Sequence, residues 1–524
     1  MARQFICNAD YPVVQTDAGK LRGFLLDGIF TFHGIKYADA KRFQMPTPVA
    51  PWEGIKDATN YGYCCPTDGN PMPTGEQYIP HRFWPENEHC QYLNIWTKSI
   101  ERGIKKPVIV WFHGGGFANG SSIEQVAYEG DALAAYGDVV VVTVNHRLNI
   151  LGCLDLSAFG EKYENSQNAG MADLVAALQW IHNNIEGFGG DPENVTIFGQ
   201  SGGGGKVSNL LQIPAAAGLF HKAIMMSGGA GMAREPQDHK PFVEGILNEL
   251  NIPVEEVEKL EKVPYAVFMK AYNRTAIKLQ KAIMWGPKAN GWYLGNPLQV
   301  GFSDHAKLIP TMAGTVFAEM SANADPFPAG SCPTEEEQIA KIKEVYGDGA
   351  DEVIALFKKA YPCKDLRRVP QTDVRMRPGV IKYMEARSQI DTAPVYSYMF
   401  ALDFDVNSGR AAWHCADIPF VFHNTYRVGN CNIEGVTERL EDELAGAWVA
   451  FAYTGNPNHS GMNKWEPYTP DGKATMVFDR KSECKKDFDR ELTDALLKYG
   501  PAPAGFGPRL PKLDDEENGR DWMY

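Results

Sequence analysis

A serine followed by four glycines, Ser201 to Gly205, leaves the backbone around it few choices. The run follows strand-forming residues, so that Val195 to Gly205 reads Val-Thr-Ile-Phe-Gly-Gln-Ser-Gly-Gly-Gly-Gly. Within it, Gly199-Gln200-Ser201-Gly202-Gly203 has the form Gly-x-Ser-x-Gly, a turn between strand and helix so sharp that only small residues fit on either side of the serine. This predicts Ser201 in a strained conformation with its hydroxyl pushed into the open. A five-residue pattern also arises by chance, so the surrounding chain has to supply the context.

That context is a series of short strands separated by helical stretches. Tyr92 to Trp96, Pro107 to Phe112 and Val139 to Asn145 are rich in β-branched or aromatic residues, and Ala223 to Ser227 reads as another strand after the serine helix. Near-continuous apolar strands of this kind imply a mostly parallel sheet covered on both faces. Between them, Ala172 to Ile185 sets Leu174, Leu178, Ile181 and Ile185 on one helical stripe, and Gly189-Gly190-Asp191-Pro192 ends it. The N-terminal runs Tyr11 to Gln15, Leu21 to Leu25 and Ile29 to Ile35 predict an antiparallel meander. Further strands are expected at Thr311 to Val316 and Val395 to Phe400. Two helical, charged blocks interrupt them, residues 235–300 and 333–387, the second opening on a capping box at Thr334-Glu335-Glu336-Glu337. The expectation is one α/β domain over 1–524, with both blocks inserted as a helical cap over the C-terminal edge of the sheet, where open α/β sheets bind ligands.

The formal net charge of -14 argues against nucleic acid and anionic membrane surfaces as partners, since both are polyanions. No run approaches the roughly 18 apolar residues of a membrane helix. The N-terminus lacks the pattern of a signal peptide, which predicts a cytoplasmic protein, or a secreted one if a leader has been removed. The 10 cysteines form no CxxC pair and no cluster with metal spacing. Cys65 and Cys90 bracket a Gly- and Pro-rich loop that a disulfide would staple, a bridge that stays open in a reducing compartment.

A second glycine cluster, Trp111-Phe112-His113-Gly114-Gly115-Gly116-Phe117, ends a predicted strand. Alone it is an ordinary tight turn. Beside Ser201 it acquires a chemical sense, because glycines can aim consecutive N–H groups at one point, as a developing oxyanion requires. These motifs, together with Gly34-Ile35-Lys36-Tyr37, Arg42-Phe43, Glu88 to Ile95, Asn168 to Asp173, Phe188 to Pro192 and Trp413-His414-Cys415-Ala416-Asp417-Ile418-Pro419, occur in an order and spacing that resembles the type-B carboxylesterase family of α/β-hydrolases. That family includes cholinesterases, liver-type carboxylesterases, bacterial para-nitrobenzyl esterases and some fungal lipases.

The resemblance implies a serine hydrolase that cleaves carboxylic esters through an acyl-enzyme, with no metal or organic cofactor and a small-molecule ester as its partner. It leaves monomer and homo-oligomer open. Ser201 is then the nucleophile and needs an imidazole to take its proton. His414 occupies the segment similar to the family's histidine loop, with His305 and His423 as weaker candidates. Glu319, five residues after Gly314, stands where the family places the carboxylate that orients the histidine. Its neighbours Ala318 and Met320 depart from the family pattern, and Asp325 is the alternative. Asp417 is read as structural. The N–H groups of Gly115, Gly116 and Gly202 are the expected oxyanion donors.

Gln200 stands where many relatives have glutamate, which removes a negative charge beside the histidine and disfavours cationic esters. Gly202 replaces the usual alanine, and the glycines after it predict unusual room near the oxyanion hole. Ser227 is either a support for the acid and histidine or a simple turn serine. Trp285, Trp292, Phe317 and Trp413 are candidate walls of an apolar, aromatic pocket for small esters, although aromatics equally fill cores. Two other readings are a lipase acting on longer acyl chains and a non-catalytic adhesion-type relative of the same fold.

Overall fold

Apolar runs that are buried on both faces of a strand force the sheet into the middle of the molecule, and this chain has many of them. The computed structural model describes residues 4–67, 79–229, 237–321, 324–328, 330–406, 409–503 and 510. In it, one sheet is built from β1 (Phe5–Ile6), β2 (Phe24–Leu26), β3 (Ile29–Lys36), β4 (Tyr92–Thr97), β5 (Lys106–Phe112), β6 (Val140–Val144), β7 (Gly190–Gln200), β8 (Lys222–Met226), β9 (Thr311–Val316), β10 (Val395–Phe400), β11 (Ala474–Phe478) and β12 (Glu483–Lys486). Their spatial order is β1-β2-β3-β4-β6-β5-β7-β8-β9-β10-β11-β12. From β6 to β11 every neighbouring pair is parallel. The β1 to β4 side and the β12 edge are antiparallel. Every residue of β5, β6, β9 and β10 is buried, as a sheet covered on both faces requires.

The connections create the site. From β5 the chain moves to β6 on one side, then returns to lay β7 on the other. A crevice therefore opens at the C-terminal ends of β5 and β7. β5 ends at Phe112, just before the first glycine cluster, and β7 ends at Gln200, just before Ser201.

Helices cover the sheet. In α1 (Ala169–Asn184) and the short turn after it, the stripe of Leu174, Leu178, Ile181 and Ile185 is fully buried against β-strand residues such as Val110 and Ile197. α2 (Gly202–Leu210) starts directly at the serine. Between β8 and β9 run α3 (Lys240–Glu249) and α4 (Tyr265–Leu279), whose Phe242, Ile246, Phe268 and Tyr272 share a core with Phe43, Leu151 and Tyr163. Between β9 and β10 lie α5 (Glu335–Tyr346), α6 (Ala350–Ala360) and α7 (Arg377–Ser388). Thr334 and Glu337 close the expected capping box on α5. α7 packs on β9 and β10 through the sheet core, with Val380, Tyr383 and Met384 beside Val395.

The N-terminal meander takes a different form from the one expected. Leu21 to Leu25 is two strands, not one: Lys20–Arg22 pairs with Val13–Gln15 and with Ile55–Asp57 in a separate sheet, while β2 pairs with β3. Gly23 is the joint, where a Cβ would lie 2.3 Å from the Thr31 carbonyl oxygen. Close approach of two backbones at a bare glycine lets the strand change sheets. Among the described residues no helix is long and apolar enough to cross a membrane.

Candidate active site

Ser201 sits between β7 and α2 with φ 59° and ψ −122°, a conformation that L-residues adopt only under constraint. The constraint comes from β8: the Ser201 N–H donates to the Met226 carbonyl at 2.8 Å, and the Gly205 N–H donates to the Ser201 carbonyl at 3.1 Å. The glycines after the serine are then used up by contact. A Cβ at Gly202 would stand 2.2 Å from the Gly116 carbonyl oxygen, and one at Gly203 would stand 2.0 Å from that of Phe112. At Gly204 the nearest atom is the Met226 carbonyl oxygen at 3.1 Å, and only at Gly205 is the nearest contact, the Phe117 ring at 3.6 Å, an ordinary one. The expected extra room beside the serine is therefore absent. The missing side chains let the start of α2 press directly onto the end of β5 and the glycine loop.

That loop presents Gly115 and Gly116 at φ 78° and 65°, conformations open to glycine at little cost. The Gly115 carbonyl accepts from the N–H groups of Ala118 (3.2 Å) and Asn119 (3.1 Å). The Gly114 carbonyl lies 3.0 Å from Nδ1 of His113. The N–H groups of Gly115, Gly116 and Gly202 donate to no acceptor within the described residues. Three unspent donors thus lie around the serine turn.

The structure brings His414 and Glu319 into direct contact, Nδ1 against Oε2. The His414 N–H also donates to the Glu319 backbone carbonyl at 3.0 Å. Glu319 opens a single turn, Glu319–Ser321, with φ 22°, and its Oε1 accepts the Val316 N–H at 3.0 Å. The unusual neighbours Ala318 and Met320 therefore do not keep it from the histidine. Gln200, next to the serine, reaches over the His414 ring, with Nε2 at 3.3 Å from Nδ1 and 3.4 Å from Nε2. Its Oε1 accepts from the Cys415 thiol at 2.9 Å. Gln200, Glu319 and Cys415 are fully buried and His414 nearly so. Gln200 thus bridges the serine turn to the histidine and its neighbour Cys415.

Two more buried carboxyls surround Glu319. Asp417 accepts from the Tyr398 hydroxyl at 3.0 Å, and burial, then the Glu319 charge, push its carboxyl up to about 7. Asp373 accepts from the N–H groups of Arg375, Met376 and Arg377 at 3.0, 2.9 and 2.7 Å. It too is pushed up to about 7 by burial and by Glu319. Sequence reasoning missed Asp373, which stands in a charged stretch with no pattern around it. It also missed Lys206, whose buried Nζ donates to the His113 carbonyl at 2.8 Å; a lysine among Val207 and Leu210 on a glycine-led helix was the available signal.

Other candidates fall elsewhere. Asp325 is held by Arg367 at 2.7 Å. His305 packs edge-on to Phe220, and His423 pairs with Asp442 at 3.1 Å. Ser227 is buried at φ 48°, and its hydroxyl has no hydrogen-bond partner among the described residues, so it hydrogen-bonds to neither Glu319 nor His414. Phe317 and Trp413 are not pocket walls: both are buried in the core, Phe317 on Tyr361 at 5.0 Å between ring centres and Trp413 on Phe404 at 4.3 Å. Trp285 and Trp292 are only partly buried. Cys65 and Cys90 are neighbouring free thiols, both buried.

Comparison with known proteins gives a consistent picture. Residues 10–495 match the family model described as the carboxylesterase family. The chain is 32% identical over 499 residues to the para-nitrobenzyl esterase of Bacillus subtilis (strain 168), covering 93% of this chain and 99% of that one. Among solved structures it superposes with a TM-score of 0.90 and 46% identity on an esterase from anaerobic Clostridium hathewayi described as able to hydrolyse aliphatic aromatic polyesters, covering 95% of this chain and 100% of that one. A carboxylesterase of Geobacillus stearothermophilus superposes with a TM-score of 0.71 and 32% identity, over 92% of this chain and 99% of that one.

Proposed function

The chain belongs to the carboxylesterase family and is a carboxylic ester hydrolase of the α/β-hydrolase fold; from that premise we propose that Ser201, His414 and Glu319 are its nucleophile, general base and orienting carboxylate. The observation that carries this reading is the trio of unspent N–H donors at Gly115, Gly116 and Gly202, set around a strained serine whose neighbour Gln200 spans the His414 ring.

In this scheme the Ser201 hydroxyl adds to the acyl carbon while Nε2 of His414 takes its proton. Glu319 holds Nδ1, which keeps the proton-accepting nitrogen free and stabilises the imidazolium. The carbonyl oxygen becomes an oxyanion and accepts from the three glycine N–H groups. The tetrahedral species collapses, the imidazolium gives its proton to the departing alkoxide, and an alcohol leaves. Water then adds to the acyl-enzyme by the same route, releasing the acid and restoring Ser201.

The preferred substrates are small apolar or aromatic esters. Supporting this, the side chain over the His414 ring from the serine turn, Gln200, and the Cys415 thiol bonded to it are both uncharged. The relatives point the same way, one named for para-nitrobenzyl esters and one described as acting on aliphatic aromatic polyesters. Trp285 and Trp292 are the remaining aromatic candidates for the pocket wall. Of the helices within 235–300 and 333–387, α3 to α6 serve as the cap over the sheet's C-terminal edge, whereas α7 lies on the sheet itself. The test is a p-nitrophenyl ester series of rising acyl length, with fluorophosphonate labelling of the nucleophile. Stoichiometric labelling, lost in Ser201→Ala together with turnover, is expected; undiminished hydrolysis by Ser201→Ala overturns the scheme.

A further inference from the structure

Lys206 lies five residues after Ser201, and its side chain is fully buried. Its Nζ donates to the His113 carbonyl at 2.8 Å and has the Gly114 carbonyl at 3.5 Å, and it lies 5.7 Å from the centre of the Phe117 ring. All three belong to the glycine loop at the end of β5. Burying an ammonium costs several kcal/mol in order of magnitude, so its place under this particular loop calls for a reason.

The geometry of the peptide unit supplies one. In a trans peptide the C=O and the following N–H point to opposite edges of one plane. The Gly114 carbonyl faces His113 Nδ1 and the Lys206 ammonium, so the Gly115 N–H of the same plane is turned away from both. The next plane is fixed the same way, by the Ala118 and Asn119 N–H groups on the Gly115 carbonyl, which turns out the Gly116 N–H. His113 and the neighbouring His146, ring centres 5.0 Å apart, are both held well below the usual imidazole range by burial first and the Lys206 charge second. His113 is therefore neutral, with its one proton on Nδ1 if it is to donate to Gly114. His113 thus holds the Gly114 carbonyl directly, while Lys206 holds the preceding His113 carbonyl and stands 3.5 Å from that of Gly114, so the two back successive peptides of the loop.

We propose that Lys206 is a positioning residue for the oxyanion: by fixing the His113 and Gly114 carbonyls it aims the Gly115 N–H, and it sets a buried positive charge behind the loop. The proposal rests on the reading of Gly115, Gly116 and Gly202 as oxyanion donors. Its effect belongs to the transition state, because the ground-state carbonyl carries little charge for the donors to meet.

The test compares Lys206→Met and Lys206→Gln with the wild-type protein, each normalised to fluorophosphonate-titrated sites. Two ligands are used: an aryl trifluoromethyl ketone, whose serine adduct carries an oxyanion, and the matching methyl ketone, which tests the pocket alone. In Lys206→Met, kcat for p-nitrophenyl acetate should fall about 100-fold, the range for loss of one oxyanion donor, with KM within about twofold. Trifluoromethyl ketone affinity should fall by a similar factor and methyl ketone affinity should hold. Lys206→Gln, which keeps an N–H for the His113 carbonyl, should recover part of the loss, and it carries the same comparison if the methionine variant does not fold. Titrated kcat and trifluoromethyl ketone affinity within about twofold of wild type overturn the proposal. So does an equal loss for both ketones, which marks a general collapse of the pocket. A wild-type protein that binds the two ketones equally sinks the reading of the glycine donors, and this proposal with it.

Discussion

His414 and Glu319 meet twice, once through Nδ1 and Oε2 and once through the His414 N–H and the Glu319 backbone carbonyl at 3.0 Å. The second link survives any change of the Glu319 side chain. In Glu319→Gln the amide oxygen can still accept the Val316 N–H, leaving the amide NH2 to face Nδ1. An N–H there forces the imidazole proton onto Nε2, the nitrogen that must accept from Ser201. We expect kcat to fall by about 10^4, as for a wrong tautomer in a serine triad, with the melting temperature changed by only a few degrees. Steady-state kinetics and thermal unfolding check this, and a loss under about tenfold removes Glu319 from the role.

Gly202 and Gly205 stand in one run yet should respond oppositely. A methyl at Gly202 meets the Gly116 backbone at 2.2 to 2.5 Å, so the oxyanion loop has to move. At Gly205 it meets only the Phe117 ring at 3.6 Å and sits in a helix, where alanine is favoured over glycine by about 1 kcal/mol. Gly202→Ala is expected to lose about 100-fold in kcat, the scale of one displaced donor. Gly205→Ala should keep its activity and gain stability. Equal kinetics for the two variants would show that the loop yields without consequence.

The contrast between these glycines marks where sequence reading stops. The strained serine, the positive-φ loop and the buried strands were legible because each is a local property: a glycine spacing or an apolar run dictates backbone shape within a few residues. What fills the space of a missing Cβ is decided by another segment, so the run at Gly202 to Gly205 read as room when at Gly202 and Gly203 that space is filled by backbone. Lys206 and the carbonyl it holds are 93 residues apart, which no local pattern links. Phe317 and Trp413 show the same limit, since aromatic character says nothing about which way a side chain faces.

Gln200→Glu would put a carboxylate within reach of both His414 ring nitrogens, where the amide now stands at 3.3 and 3.4 Å. A nearby negative charge favours the imidazolium and raises the histidine pKa. Because the base must be neutral to accept the serine proton, the acidic limb of the kcat/KM profile should move to higher pH. Activity at pH 6 should fall relative to pH 8, and KM for a cationic ester should fall relative to a neutral one of the same size. A pH–rate profile that superposes on that of the wild type would show that the charge at this position is screened from the histidine.

Asp417 and Asp373 give the fold a pH dependence of its own. Both carboxyls are buried beside Glu319 and pushed up to about 7, whereas in an unfolded chain they titrate near about 4. Between those values the native state holds protons that the unfolded state has released. Stability from these groups is therefore complete at the acid end, is lost as pH rises through the window, and is flat above it. Asp417→Asn keeps an acceptor for the Tyr398 hydroxyl but cannot titrate, so unfolding free energy should fall less steeply with pH than in the wild type. Urea unfolding at pH 4.5, 6 and 7.5 reads the difference in slope, which cancels groups titrating alike in both proteins. Adding Glu319→Gln leaves burial in place but removes the charge that adds to it in raising both carboxyls, and should shift the remaining fall, due to Asp373, to lower pH. Parallel slopes in wild type and Asp417→Asn would mean that Asp417 stays ionised throughout, with its charge met by groups other than the Tyr398 hydroxyl.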